Sequence, residues 1–121
     1  MRFISIWKPT RPLGQPTQKM MQEMGAFMAE AVNAGVLLAT DGFGPSTKND
    51  LVCRLRGSEF SVTDGPFTEA KELIGGFAIM RVKSREELVE WTRRFMAIAG
   101  DGECEIHLLS DESPVEQIQR L

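Results

Sequence analysis

A chain of 121 residues suits one compact domain, and at this size folding should bury about two thirds of the surface that the unfolded chain exposes. Its 42% hydrophobic and 26% charged residues are ordinary globular values and argue against disorder. A formal charge of −3 offers no basic footprint for nucleic acid or for an anionic membrane.

Phe3-Ile4-Ser5-Ile6-Trp7 is a short run rich in β-branched and aromatic residues, closed by Lys8-Pro9, and reads as a first strand with apolar side chains on both faces. A proline- and glycine-rich loop leads to Thr17, whose hydroxyl can cap a helix reaching Asn33. On that helix Met20, Met24, Phe27, Met28 and Ala31 recur at three- and four-residue spacing. The stripe reads as core packing, with an adaptable binding surface as the alternative, because methionine fills irregular space well.

Val36 to Ala39 gives a second strand, running into the loop Asp41-Gly42-Phe43-Gly44-Pro45. Leu51-Cys53-Leu55 and Phe60-Val62 alternate with polar residues around Gly57-Ser58, the pattern of a β-hairpin. Phe77 to Val82 is a further strand. Ser84 and Glu87 have capping-box spacing and open a helix that buries Leu88, Trp91, Phe95 and Ile98, with Glu90 and Arg94 as an i,i+4 pair and Arg93-Arg94 on its solvated face. Gly100-Asp101-Gly102 turns the chain into a last strand, Glu103 to Leu109, and an acidic tail after Asp111 packs or frays.

Two helices against one antiparallel sheet form an α+β layer, the split βαβ pattern of ferredoxin-like folds with an extra hairpin, as a single domain spanning residues 1–121. Ile4, Ile6 and Trp7 cannot all face the helices, since neighbours on a strand point opposite ways. The bare apolar face predicts a homodimer whose sheets face each other. Cys53 and Cys104 are too few for a disulfide framework and lack the partners for a zinc site, so both are expected as buried reduced thiols. No metal or cofactor is expected. With no charged leader and no run approaching about 18 apolar residues, a cytoplasmic protein is expected.

The most specific stretch is Asp64-Gly65-Pro66-Phe67-Thr68-Glu69-Ala70-Lys71-Glu72 with Gly75-Gly76-Phe77. Together with Ala34-Gly35-Val36-Leu37 before it and Gly100-Asp101-Gly102 and Glu105 after it, this stretch resembles the YCII-related (DGPF-domain) family. The resemblance implies a dimeric α/β barrel of ferredoxin-like subunits and little about activity. Many DGPF proteins are encoded beside extracytoplasmic-function sigma factors, which makes such a factor a partner by family analogy alone. Better-studied YCII relatives carry a histidine on the first helix and an aspartate in the following loop as a proposed catalytic dyad. The present first helix contains no histidine, and Asp41 stands near the relatives' aspartate without that partner.

Asp64 begins strong turn chemistry, and its functional alternative is a carboxylate facing the cavity between subunits. Lys71 and Glu69 read as surface charges, with Lys71 as an anion hook if the segment folds over a cavity. His107, the one histidine, shares a strand face with Glu103 and Glu105, where it can titrate near neutral pH. Trp7 lines a pocket or packs at the dimer interface. Gly75-Gly76 lacks the context of a phosphate cradle and suits close backbone approach. The ligand-binding set expected from the sequence is Asp41, Asp64, Lys71 and His107, with Asp64 and His107 as the candidates if there is catalysis. The two functional readings are a small-molecule binder or enzyme, and a non-catalytic regulatory domain.

Overall fold

In chain order the elements are β1 (Arg2–Pro9), α1 (Gln18–Asn33), β2 (Leu37–Gly42), β3 (Leu51–Arg56), β4 (Glu59–Asp64), β5 (Gly76–Arg81), α2 (Arg85–Ala99), β6 (Gly102–Leu109) and α3 (Pro114–Gln119). They come from a computed structural model that describes residues 1–11, 14–67 and 74–121. Glu69 and Lys71 lie outside the described residues. Two compact units form, one from Met1–Gly42 with Leu73–Leu121 and one from Phe43–Glu72.

The larger unit holds a four-stranded sheet in the order β2-β5-β1-β6, every neighbouring pair antiparallel. Each βαβ crossover therefore skips one strand, with β5 inserted between β1 and β2, and β1 between β5 and β6. This α+β arrangement is compatible with a ferredoxin-like subunit. Its register decides which side chains meet the helices. Phe3, Ser5 and Trp7 of β1 share a face with Ala78 and Met80 of β5 and Cys104 and Ile106 of β6. Ile4 and Ile6 take the opposite face with Phe77, Ile79, Glu105 and His107. The constraint read from the sequence thus resolves with Trp7 toward the helices, at 6% exposure, and the isoleucines away from them.

The helices begin where the side chains allow. The Thr17 hydroxyl accepts the Met20 backbone N–H, and the chain leaves α1 at Gly35, whose φ of 74° glycine adopts without strain. At α2 the Ser84 hydroxyl accepts the Glu87 N–H at 3.1 Å. The Glu87 carboxylate reaches back one residue further than the standard box, to the Lys83 N–H at 2.9 Å. The acidic tail forms α3, which the sequence reading left open. Ser113 caps it by accepting the Glu116 N–H, and Pro114 occupies its first turn, where a missing N–H costs nothing.

The buried cluster is small: Val36, Met80, Val82 and Leu88, with Phe3, Ala78, Trp91 and Ile106 packed against it. The expected Glu90–Arg94 pair does not form. Glu90 lies 3.7 Å from Arg93, while Arg94 reaches across to Glu30 on α1. Cys53 is exposed and Cys104 is half-buried, so neither thiol has the deep burial expected of it.

In the smaller unit β3 and β4 form the expected hairpin about Gly57, which takes a φ of 59° in the turn. Its register aligns Leu51, Cys53, Leu55, Phe60 and Val62 on one face. The DGPF segment leaves β4 as a shaped turn. The Gly65 N–H donates to the Asp50 carbonyl at 2.6 Å and the Phe67 N–H to Ser46 Oγ at 2.8 Å. The 47–50 turn that receives it is itself tied by the Thr47 N–H donating to Asp50 Oδ2. A Cβ on Gly65 would collide with the Thr47 carbonyl oxygen, so this position excludes any side chain.

Because Leu88 is the helix residue of the buried cluster, Leu88→Ala should cost about 3 kcal/mol of unfolding free energy. Its exposed neighbour serves as control: Val89→Ala should stay within about 0.5 kcal/mol in the same urea titration. Equal effects would show that α2 does not pack as described.

Candidate functional site

A cavity of about 460 Å³ lies in the larger unit between α1, α2 and the helix-facing side of the sheet. Its roof is the methionine stripe, Met20, Met24 and Met28 with Phe27, held at i, i+4 and i+8 on one side of α1. Trp91 and Phe95 of α2 form one wall, and Trp7, Ser5, Met80 and Cys104 the floor. All four roof side chains are only half-buried, and no large side chain among the described residues is fully buried. Core packing, the first reading of the stripe, holds for Ala31 at 4% exposure, whereas the other four residues border the cavity. These four have core-type spacing but line a space instead of filling one.

Trp7 is held by shape. Its ring meets Phe95 edge-to-face at 5.4 Å, a favoured aromatic geometry. A Cβ on Gly75 would lie 2.5 Å from Trp7 Cδ1, and one on Gly102 2.6 Å from Cη2. The glycine pair does serve close approach, since the Gly75 N–H donates to the Trp7 carbonyl at 2.7 Å and a Cβ on Gly76 would strike the Asp41 carbonyl.

A clasp joins the two helices beside the cavity. Phe27 and Trp91 meet at 5.8 Å, and the Arg94 guanidinium lies over both rings, 5.2 Å and 4.9 Å from their centroids. Arg94 also donates to Glu30 of α1. That hydrogen bond holds the Glu30 carboxyl below the ordinary carboxylate range and raises Arg94. Arg94 therefore joins the helix packing through its ring contacts while its charge stays partly exposed.

The polar groups of the cavity are mostly committed. The Thr40 hydroxyl donates to the Phe77 carbonyl and the Thr92 hydroxyl to the Leu88 carbonyl. Burial pushes the Cys104 thiol up, and its hydrogen bond with Ser5 only partly opposes that. A thiol so placed stays protonated and is a poor nucleophile. Among the described residues Asp41 is the one charged residue of the lining, and its Oδ1 accepts the Gly42 N–H.

The four residues expected at the site are distributed as follows. Asp41 borders the cavity at the end of β2. His107 lies on the sheet face turned away from the helices, the face to which the register also assigns Asp41, with Nε2 2.9 Å from Glu105, which also receives Lys8 at 3.4 Å. These two contacts, the histidine's first, hold the Glu105 carboxyl low. In the register Asp41 belongs to the row Asp41–Phe77–Ile6–Glu105, and His107 to the next row at the far edge strand. Three strand spacings, about 14 Å, separate those edges, so Asp41 and His107 do not act as one pair. Asp64 ends β4 in the smaller unit. Lys71 lies outside the described residues. The sequence reading missed the aromatic walls and undervalued the methionines. Its available signal was the Met20, Met24, Met28 repeat together with Trp7.

The YCII-related domain model matches residues 1–107. The chain belongs to the YCII-related domain family. No curated protein matches it. On α1 this YCII-related chain presents methionine and phenylalanine to the cavity and no histidine. Among the described residues no group of three or more His, Cys, Asp or Glu is arranged to hold a metal ion, and no helix is long and apolar enough to cross a membrane.

Glu30, with its pKa lowered, contributes stability that is present above its unfolded value of about 4.3 and is lost as pH falls through the folded value. Glu30→Gln should therefore melt below the wild type at neutral pH and low salt, and the gap should close once the pH drops below the carboxylate range. A gap that persists at pH 2 to 3 would assign the loss to packing instead.

Proposed function

We propose that the chain is a single-domain subunit that binds a small molecule between its helices and its sheet and pairs with a second copy through the open sheet face, in the manner of a dimeric α/β barrel. The observation that carries the binding reading is the half-burial of the methionine roof. Helix residues at core spacing that stop short of the sheet leave apolar walls, and about 460 Å³ lies within the range of small-molecule pockets. Binding without transformation suits the chemistry of the walls, where among the described residues Asp41 has no acid–base partner and the Cys104 thiol is held protonated. Pairing is supported by Ile4, Ile6, Phe77 and Ile79 on the sheet face opposite Trp7 and the α1–α2 layer.

A bound ligand raises the melting temperature by mass action, so a thermal-shift screen of small molecules should find compounds that stabilise the wild type. Those shifts should vanish in Ala99→Trp, which places an indole in the cavity while leaving the circular dichroism unchanged. Sedimentation should give twice the 13.5 kDa chain mass, and Ile4→Lys with Ile6→Lys should give the single chain. A screen without hits would remove the binding reading, and a monomeric wild type the pairing.

A second reading is favoured by the hairpin. Leu55 at 68% and Phe60 at 66% exposure, beside Val62 and Leu51, form an apolar face suited to a protein partner, as in a non-catalytic regulatory domain. An extracytoplasmic-function sigma factor is the partner class that family analogy suggests. Leu55→Lys and Phe60→Lys should abolish such a complex while leaving ligand-induced thermal shifts intact.

A further inference from the structure

We infer that the ligand of the helix–sheet cavity is an uncharged, largely aromatic molecule, and that organic anions, including carboxylates, sulfonates and phosphate esters, are excluded. This rests on the cavity being a binding site and adds the chemistry of what it takes.

Charge decides first. Among the described residues the lining contains no lysine, arginine or histidine, and its one charged residue is Asp41. An anion entering such a space loses its water and gains no counter-charge, a cost that grows as the surroundings become more apolar. Hydrogen bonding points the same way. The Thr40 and Thr92 hydroxyl protons go to backbone carbonyls, Ser5 and Cys104 bond each other, and the Asp41 carboxylate takes the Gly42 N–H. The side-chain donors of the lining are therefore largely spent on the protein itself. Recognition is left to shape and dispersion.

The walls favour a flat ring system. Trp7, Phe27, Trp91 and Phe95 present rings from the floor and both helices, and ring pairs gain beyond their buried area when stacked with an offset or met edge-on. Floor and roof differ in stiffness. Trp7 is fixed by the glycines beside it and by Phe95, whereas Met20, Met24 and Met28 are unbranched thioethers that repack around ligands of different outline and make favourable sulfur–aromatic contacts. A rigid aromatic floor under a deformable methionine roof suits a class of apolar ring compounds and not one polar metabolite.

The test compares two dyes with one skeleton, N-phenyl-1-naphthylamine, which is neutral, and its 8-sulfonate, which is an anion. Both tryptophans of the chain line the cavity, so quenching of tryptophan emission locates the dye there. The neutral dye should quench tryptophan and bind about tenfold tighter or more than the sulfonate, reflecting the unpaired charge. Met24→Lys, which puts an ammonium on the roof, should reverse that order; should this variant unfold, Ala99→Lys repeats the test from α2. Equal or tighter binding of the sulfonate by the wild type would overturn the inference while leaving a small-molecule site standing. Dye fluorescence without tryptophan quenching would place binding elsewhere and overturn it. Failure of both dyes to bind would remove the inference and count against the binding reading as well.

Discussion

The seat of Trp7 is the constraint on which the rest of the larger unit depends. Its indole occupies space that exists only because Gly75 and Gly102 carry no side chain, and its carbonyl receives the Gly75 N–H. Strands β5 and β6 therefore approach β1 closely at the end where the ring lies, and the ring's far edge meets Phe95 of α2. The same residue fixes the parity of the central strand. With Trp7 toward the helices, Ser5 and Phe3 follow it, and Ile4 and Ile6 are turned to the opposite face. A floor for the cavity and an apolar open face are two results of one alternation.

Packing on the two sides of the helix layer is unequal. Where Leu88 meets Val36, Met80 and Val82, the layer is closed and the buried cluster forms. Toward the end marked by Gly75, Gly76 and Asp41, α1 offers flexible thioethers and the cavity opens. The two helices are joined beside this region by Phe27, Trp91 and the Arg94–Glu30 pair, so their separation is held by ring contacts and one exposed ion pair. Contacts of that kind are individually weak and screened by salt, and a ligand filling the space between the helices would add to them.

The DGPF segment, the stretch that placed the chain in its family, works locally as a turn. Gly65 and Phe67 dock by their backbone N–H groups onto Asp50 and Ser46, and the absence of a side chain at Gly65 is what allows the approach. At the far end of the same stretch, Gly75 admits Trp7 and Gly76 admits the Asp41 carbonyl. The turn residues at one end of the motif and the glycines at the other both serve close backbone approach.

Element order, helix starts and the hairpin were legible in the sequence because each rests on local rules. Ser84 and Glu87 cap α2, Thr17 caps α1, and period-two alternation marks β3 and β4. The α3 cap at Ser113 follows the same spacing, its hydroxyl accepting the Glu116 N–H. What local rules do not contain is the distance between layers. Spacing alone gives the same stripe to a methionine that packs and to one that lines a cavity, so the roof of α1 was first read as core. Nor does it tell whether Arg94 pairs within its helix or reaches Glu30 on another, since that choice depends on where α1 comes to lie. Family, fold class and element order were therefore set by the sequence. The tertiary structure decided which face each residue took, that Asp41 and His107 lie at opposite edges, and that a cavity exists, because these follow from how far apart packed elements stop.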